Sequence, residues 1–91
     1  MDDGLPVLPG FREIAQRRRR VIDELAGARR AAGLSQTEVA ARMGTSQSVV
    51  ARLESGTIDA RLSTLQRYAA ALGHELELGV RRPEQRQEEG P

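Results

Sequence analysis

A strip of polar side chains near the middle of the chain has the chemistry needed to bind the edges of nucleic-acid bases. Gln47, Ser48 and Arg52 fall on one side of a short helical segment, and the apolar residues Val50 and Leu53 fall on the other. Glutamine can form two hydrogen bonds with adenine, and arginine can form two with guanine, in the major groove of DNA. We therefore predict that this strip recognises bases, with phosphate binding by Arg52 and a plain surface role for Ser48 as the alternatives.

Polar side chains that precede this strip could bind the phosphate backbone. Gln36 opens the preceding helical segment, where free backbone amides favour an anion; otherwise it is a solvated residue of the first turn. Thr45 and Ser46 stand immediately before the strip and could donate their hydroxyl groups to phosphate. Serine and threonine are also preferred helix caps, so the sequence leaves both roles open.

Helix signals indicate the elements that position these residues. Ser35 and Glu38 form a capping box ahead of a predicted helix over 36–43, which Gly44 ends. A third helix follows over 47–54. We therefore expect two short helices joined by a tight turn, with the polar strip on the second of them.

Two further helices flank this pair. Apolar residues at steps of three and four predict a first helix over 11–32, which Gly27 could divide into two. A second capping box, from Ser63 to Gln66, predicts a fourth helix over 64–72. The expected fold is all-α, with four or five helices.

The segment 36–56 has the features that two short helices need to cross at a wide angle. Ala40 leaves room for the second helix, and Gly44 can adopt the positive φ of a tight turn. The string GLSQTEVAARMGTSQSVVARLESG, which contains both residues, resembles the helix-turn-helix unit of the Cro/C1-type (XRE) repressor family. The resemblance extends from about Val21 to Leu72. A small helical bundle with fortuitous turn glycines is the alternative.

The resemblance implies a lambda-repressor-like bundle that binds double-stranded DNA. It implies that Gln36 contacts the DNA backbone and braces Gln47, the first glutamine of the recognition helix. It also implies that the region around Arg61 and Ser63 grips the DNA backbone. A solvated loop charge is the alternative for Arg61.

Charged residues outside the strip form two groups. The resemblance implies that Arg29 and Glu54 form a partly buried ion pair, which we interpret as structural. Residues 17–20 are a run of four arginines that spans a full helical turn, as a solvated helix face does. The sequence leaves open whether this run also binds phosphate or an acidic protein.

Residues 74–80 alternate between polar and apolar side chains, which predicts a half-buried β-strand with Leu76, Leu78 and Val80 on one face. Because a lone strand needs partners for its amides and carbonyls, we expect it to pair with the same strand of a second copy in a homodimer. An irregular docked tail is the alternative. The string STLQRYAAALGHELELGV resembles the C-terminal part of HigA-type antitoxins within the XRE family, which implies a RelE/HigB-like toxin as a candidate partner.

Charge divides the chain into three parts. Residues 11–82 hold 13 arginines and 8 acidic residues, a net charge of +5, and are predicted to form the DNA-binding domain. Residues 1–10 and 83–91 each carry a net charge of −2 and are predicted to be a flexible lead-in and a disordered acidic tail. The formal charge of +1 for the whole chain therefore hides a basic middle.

Composition argues against catalysis, metal binding and membrane insertion. The chain has no cysteine and one histidine, His74, so we expect no catalytic residues, no metal site and no cofactor. No apolar run approaches the roughly 18 residues that cross a bilayer, and no signal peptide opens the chain. We expect a cytoplasmic protein that is not an enzyme.

The leading hypothesis is a sequence-specific repressor that binds a palindromic operator as a homodimer. By resemblance, it would be the antitoxin of a type II toxin–antitoxin pair, which neutralises its toxin and represses its own operon. One alternative is a stand-alone transcription regulator with no toxin. The other is a protein-interaction adaptor that no longer binds DNA.

Overall fold

The computed structural model describes residues 10–82, without the side chain of Phe11. The described part of the chain is all-α, as predicted, and contains four helices. These are α1 (Phe11–Ala31), α2 (Gln36–Met43), α3 (Gln47–Ser55) and α4 (Leu62–Ala71). The predicted lead-in and acidic tail lie outside the described residues, apart from Gly10.

The first helix is continuous over 21 residues and passes through Gly27 without a break. A division at Gly27 was the open alternative, and it does not occur. The helical residues on both sides, together with the burial of Ile22, Leu25 and Ala26, outweigh the roughly 1 kcal/mol that a glycine costs in a helix. The N-terminal half of α1 extends past the core, because residues 12–17 are all exposed.

The caps of α2 and α3 follow the predicted pattern. The Ser35 hydroxyl accepts a hydrogen bond from the Glu38 amide at 3.0 Å, and the Glu38 carboxylate accepts one from the Ser35 amide at 2.7 Å. Gly44 then reverses the chain with φ 74°. An L-residue rarely adopts this conformation, so the glycine is what permits the tight turn between the two helices.

The last helix begins two residues earlier than the second capping box predicts. The amides of Thr64 and Leu65 both bond to the carbonyl of Arg61, each at 3.0 Å, so Arg61 occupies the N-cap position. Ser63 therefore lies inside the first turn, where its hydroxyl cannot cap the helix. The prediction of a helix over 64–72 is wrong by two residues at its start and one at its end.

One hydrophobic cluster joins the four helices. Val39, Val50, Leu53 and Tyr68 are at most 1 % exposed, and each of the four helices contributes to the core. The core residues are Ile22, Leu25, Ala26, Val39, Ala40, Met43, Val50, Leu53, Leu65, Tyr68 and Ala69. This cluster fixes α3 against the other helices and leaves its polar side free.

The segment that follows α4 has no regular secondary structure from residue 74 to residue 82. Leu76 packs half-buried against the core, whereas Leu78 and Val80 are 62 % and 102 % exposed. A strand requires a hydrogen-bonding neighbour, and within residues 10–82 there is none. The predicted strand is therefore not formed in the single chain. None of the helices described is long and apolar enough to cross a membrane.

Candidate nucleic-acid interface

The predicted strip lies on the exposed side of α3. Gln47, Ser48 and Arg52 are exposed, while Val50 and Leu53 on the opposite side are 0 % and 1 % exposed. Gln47 and Ser48 therefore stand at the start of the helix and Arg52 in its last turn, and the other face of the helix anchors it in the core. A recognition helix contacts bases through its N-terminal residues.

Gln47 is held by a direct hydrogen bond from its side-chain amide to Gln36. Its Nε2 donates to Oε1 of Gln36 at 2.7 Å, and Nε2 of Gln36 donates to Oε1 of Glu54 at 3.0 Å. The carboxylate can only accept, so it orients the Gln36 amide with the nitrogen inward. The structure thus joins the starts of α2 and α3 through two glutamines.

Glu54 is the centre of a largely buried polar network. Nε of Arg29 donates to Oε2 of Glu54 at 2.7 Å, and a second guanidinium nitrogen donates to Oε1 at 3.0 Å. The hydroxyl of Tyr68 donates to Oε2 as well. The side chains of Arg29 and Glu54 are 11 % and 9 % exposed, so the pair is desolvated and bidentate. A third Arg29 nitrogen donates to the carbonyl of Leu34 at 2.9 Å.

This network keeps Glu54 ionised. Burial alone would raise the pKa of Glu54. Hydrogen bonds from Arg29, Tyr68 and Gln36 outweigh burial, and the pKa falls to about 2 instead. Burial and then the hydrogen bond to Glu54 raise the pKa of the Tyr68 hydroxyl, so it remains a donor. The bond to Glu54 also raises the pKa of Arg29.

The hydroxyl residues before α3 have visible structural roles. The Ser46 hydroxyl accepts a hydrogen bond from the Val49 amide at 3.3 Å and lies 3.2 Å from the Ser48 hydroxyl. Ser46 therefore caps α3, and one lone pair or proton remains for another partner. Thr45 is half-buried, and its amide bonds to the Ala40 carbonyl at 2.9 Å.

The two other candidate DNA-contacting residues lie at the start of α4. Arg61 is the N-cap residue and Ser63 lies in the first turn, and both are exposed. Neither side chain forms a hydrogen bond or ion pair with another residue within 10–82. Within the described part of the chain, both side chains thus remain available to an external group.

Two functional features were missed by the sequence reasoning. Tyr68 was not among the predicted site residues, although a buried tyrosine hydroxyl needs a hydrogen-bond partner, which here is Glu54. The arginine run is also not uniformly solvated. Arg18 pairs with Asp59 at 3.2 Å, and Arg19 pairs with Asp23 at 2.7 Å and donates to the backbone carbonyl of Glu54.

Comparison with known proteins identifies the unit. A family model described as helix-turn-helix matches residues 25–79, which is more than half of the chain. "Antitoxin HigA1" of Mycobacterium tuberculosis is 45 % identical over 78 residues, covering 86 % of this chain and 52 % of the relative. "Putative antitoxin HigA3" of the same organism is 50 % identical over 56 residues, covering 59 % of this chain and 51 % of the relative.

The chain spans about half the length of these curated relatives. We find no solved structure that matches it. The matched segment contains the capped α2, the turn at Gly44, α3 with its polar strip, and α4. On this match and on the geometry of α2 and α3, the chain belongs to the helix-turn-helix family.

Proposed function

We propose that the protein is a sequence-specific DNA-binding repressor that acts as a homodimer and serves as an antitoxin. The observation that carries DNA recognition is the exposed strip on α3, whose first member is braced by Gln36 while the other face of the helix is buried. A rigid helix with a free polar strip suits insertion into the major groove.

In this proposal the strip discriminates bases and its neighbours set the register. Gln47, Ser48 and Arg52 contact base edges, which carry the sequence information. Phosphate oxygens are bound by residues around the strip, and these contacts fix the orientation of the protein on the duplex. The phosphate-contacting residues are Gln36, Thr45, Ser46, Arg61 and Ser63.

A single recognition helix covers few base pairs, so the proposal includes a homodimer on a palindromic operator. Residues 74–80 supply the interface by pairing as strands with the same segment of a second copy. The exposure of Leu78 and Val80 in the single chain supports this assignment, because large apolar side chains are costly to leave in water. Leu76 would extend the apolar contact between the helices and the interface.

The antitoxin role rests on the relatives. Two curated relatives carry antitoxin names and cover the helix-turn-helix segment at 45 % and 50 % identity. The proposed partner is a RelE/HigB-like toxin encoded beside this gene. Co-expression with the product of an adjacent short gene should yield a complex that survives purification. If no adjacent product binds the chain, a stand-alone regulator replaces the antitoxin in the proposal.

DNA binding is tested with the full chain and a duplex from upstream of its own gene. Binding should weaken steeply between about 50 and about 200 mM salt, because several phosphates are contacted and counterions are released. A duplex of the same composition in scrambled order should bind more weakly at every salt concentration. If neither duplex binds at low salt, DNA recognition is wrong and a protein-interaction adaptor remains.

A further inference from the structure

One side of the molecule combines an unpartnered helix surface with exposed apolar side chains. α1 and the segment after α4 border two adjacent grooves, of about 450 and 430 Å³, and Val21 and Leu76 line both. Arg17 and Leu78 line the first groove, and Glu24 lines the second. We call these five residues the α1–tail face.

The charged α1 residues of this face differ from their neighbours on the helix in having no ion-pair partner within residues 10–82. Arg18 and Arg19 are already paired with Asp59 and Asp23. Arg17 and Glu24 are exposed, and neither forms a hydrogen bond or ion pair with any residue within 10–82. On α1 itself, a basic group at the first groove and an acidic group at the second are thus both available to a partner. The segment after α4 adds two further carboxylates, Glu77 at both grooves and Glu75 at the second.

Large exposed apolar side chains gather at the basic end of the face. Leu62 and Leu78, which line the first groove, are 48 % and 62 % exposed. Ile14, about one helical turn before Arg17, is 56 % exposed. Together with Val80 these are all the large hydrophobic side chains that are exposed within residues 10–82. Such a concentration is typical of an interaction surface rather than of scattered surface residues.

The order of charges along α1 makes the helical part of this face complementary to itself. Arg17 lies four residues before Val21 and Glu24 lies three residues after it, so the two charges are about 10 Å apart along the helix. A two-fold axis through the contact between Val21 and Leu76 would set two copies of α1 antiparallel. Each Arg17 would then face Glu24 of the partner subunit, as a symmetric dimer interface requires.

We propose that a second copy of this chain docks on the α1–tail face with the two α1 helices antiparallel and Arg17 paired with Glu24 of the partner subunit. The proposal rests on the homodimer of the proposed function and specifies which helix surface joins the two copies. No residue of α3 lines either groove, so the DNA-binding strip stays free in such a dimer.

Charge reversal tests the pairing in solution. Arg17→Glu and Glu24→Arg should each raise the dimer dissociation constant at least about 10-fold in sedimentation equilibrium, because each places two like-charged pairs in one interface. The double variant Arg17→Glu/Glu24→Arg should return to within a few-fold of the wild type. The difference should shrink in high salt, which screens exposed charges.

Mixing the two single variants gives a sharper test. Arg17→Glu carries glutamate at both positions, and Glu24→Arg carries arginine at both. The two variants are therefore complementary in both symmetric contacts. Their mixture should form heterodimers, whereas each variant alone should dimerise weakly. Arg20→Glu is the matched control. It reverses an exposed arginine of the same run that lines neither groove, and it should leave the dimer unchanged.

The outcomes separate this inference from the rest of the proposed function. A dimer that resists both reversals but dissociates with Leu78→Asp would retain the interface at residues 74–80 and overturn the α1 pairing. A chain that is monomeric at about 100 μM would overturn both the homodimer and the pairing. DNA binding has its own test in Arg52, so its failure would appear separately. Circular dichroism of each variant should match the wild type, since none of these residues is buried in the core.

Discussion

The two sides of α3 differ in how firmly they hold their charged side chains. On the inner side the carboxylate of Glu54 is 9 % exposed and accepts hydrogen bonds from Arg29, Gln36 and Tyr68. On the outer side Arg52 is exposed, and its guanidinium bonds to no residue within 10–82. The inner side fixes the helix, and the desolvation of its charged groups opposes folding. The outer side leaves its hydrogen-bonding groups available to a ligand.

Gln36 connects these two sides. It donates to Glu54 within the network and accepts from Gln47 at the start of the strip. Two hydrogen bonds thereby link the buried carboxylate of Glu54 to the exposed side chain of Gln47. In the proposed mode of DNA binding, Arg29 and Glu54 would contribute without touching the DNA, because they set the position of the helix that contacts it.

Removal of Arg29 should have the largest effect on stability. Arg29→Ala would leave the Glu54 carboxylate buried without its bidentate partner, and we expect a loss of about 3–5 kcal/mol in the free energy of unfolding. Urea unfolding followed by circular dichroism measures it. Arg20→Ala, which changes an exposed arginine of the same helix, should cost less than about 0.5 kcal/mol. Equal losses in the two variants would mean that the inner network does not stabilise the fold.

Acid should remove much of the same stabilisation. The pKa of Glu54 is about 2 in the folded chain against a reference of 4.5, so its contribution is fully present above pH 5 and declines as the pH falls toward 2. The shift corresponds to about 3 kcal/mol. Urea unfolding at pH 6, 4 and 3 should show this decline, and Glu54→Gln should flatten it. An undiminished decline in that variant would assign the acid sensitivity to other carboxylates.

The hydroxyl of Tyr68 should contribute less, because Glu54 keeps its other donors. Tyr68→Phe removes one hydrogen bond to a buried carboxylate, and we expect a loss of about 1–2 kcal/mol. The ring remains to fill the core, so the urea m-value should not change. Thermal unfolding of this variant beside Arg29→Ala would rank the two donors. A Tyr68→Phe variant as unstable as Arg29→Ala would contradict the dominance of the ion pair.

The sequence predicts the inner and outer sides of α3 well because both follow from one helical period. The apolar spacing of Val50 and Leu53 determines which side is buried, and the exposure of Gln47 and Arg52 follows from it. The contact between Gln36 and Glu54 could not come from spacing, since it joins two helices whose crossing depends on the whole core. The family resemblance indicated that Gln36 braces Gln47, but it did not indicate that Glu54 holds Gln36.

The two capping boxes show the same limit at the level of local signals. Ser35 and Glu38 exchange both hydrogen bonds, whereas Ser63 lies two positions past the N-cap of its helix. The second pattern fails because the carbonyl of Arg61 already accepts the first helical bonds. For residues 74–80, alternation predicts a strand, but a strand needs a neighbour that a single chain does not supply.

Arg52 should give the smallest change in stability and a large change in binding. Arg52→Ala removes an exposed side chain with no bond to any residue within 10–82, so the free energy of unfolding should change by less than about 0.5 kcal/mol. If Arg52 contacts guanine in two hydrogen bonds, DNA affinity should fall by about 1–3 kcal/mol and discrimination should relax at one base position.

A panel of operator duplexes with single base-pair changes separates the two roles of Arg52. For a base contact, the variant loses affinity for the preferred duplex but not for the duplex changed at that position. For a phosphate contact, affinity falls equally on every duplex. The slope of the logarithm of the binding constant against the logarithm of the salt concentration then decreases in magnitude by about one. A loss of stability comparable to that of Arg29→Ala would instead break the contrast between the two sides of α3. In that case the outer side, too, would be part of what holds the helix in place.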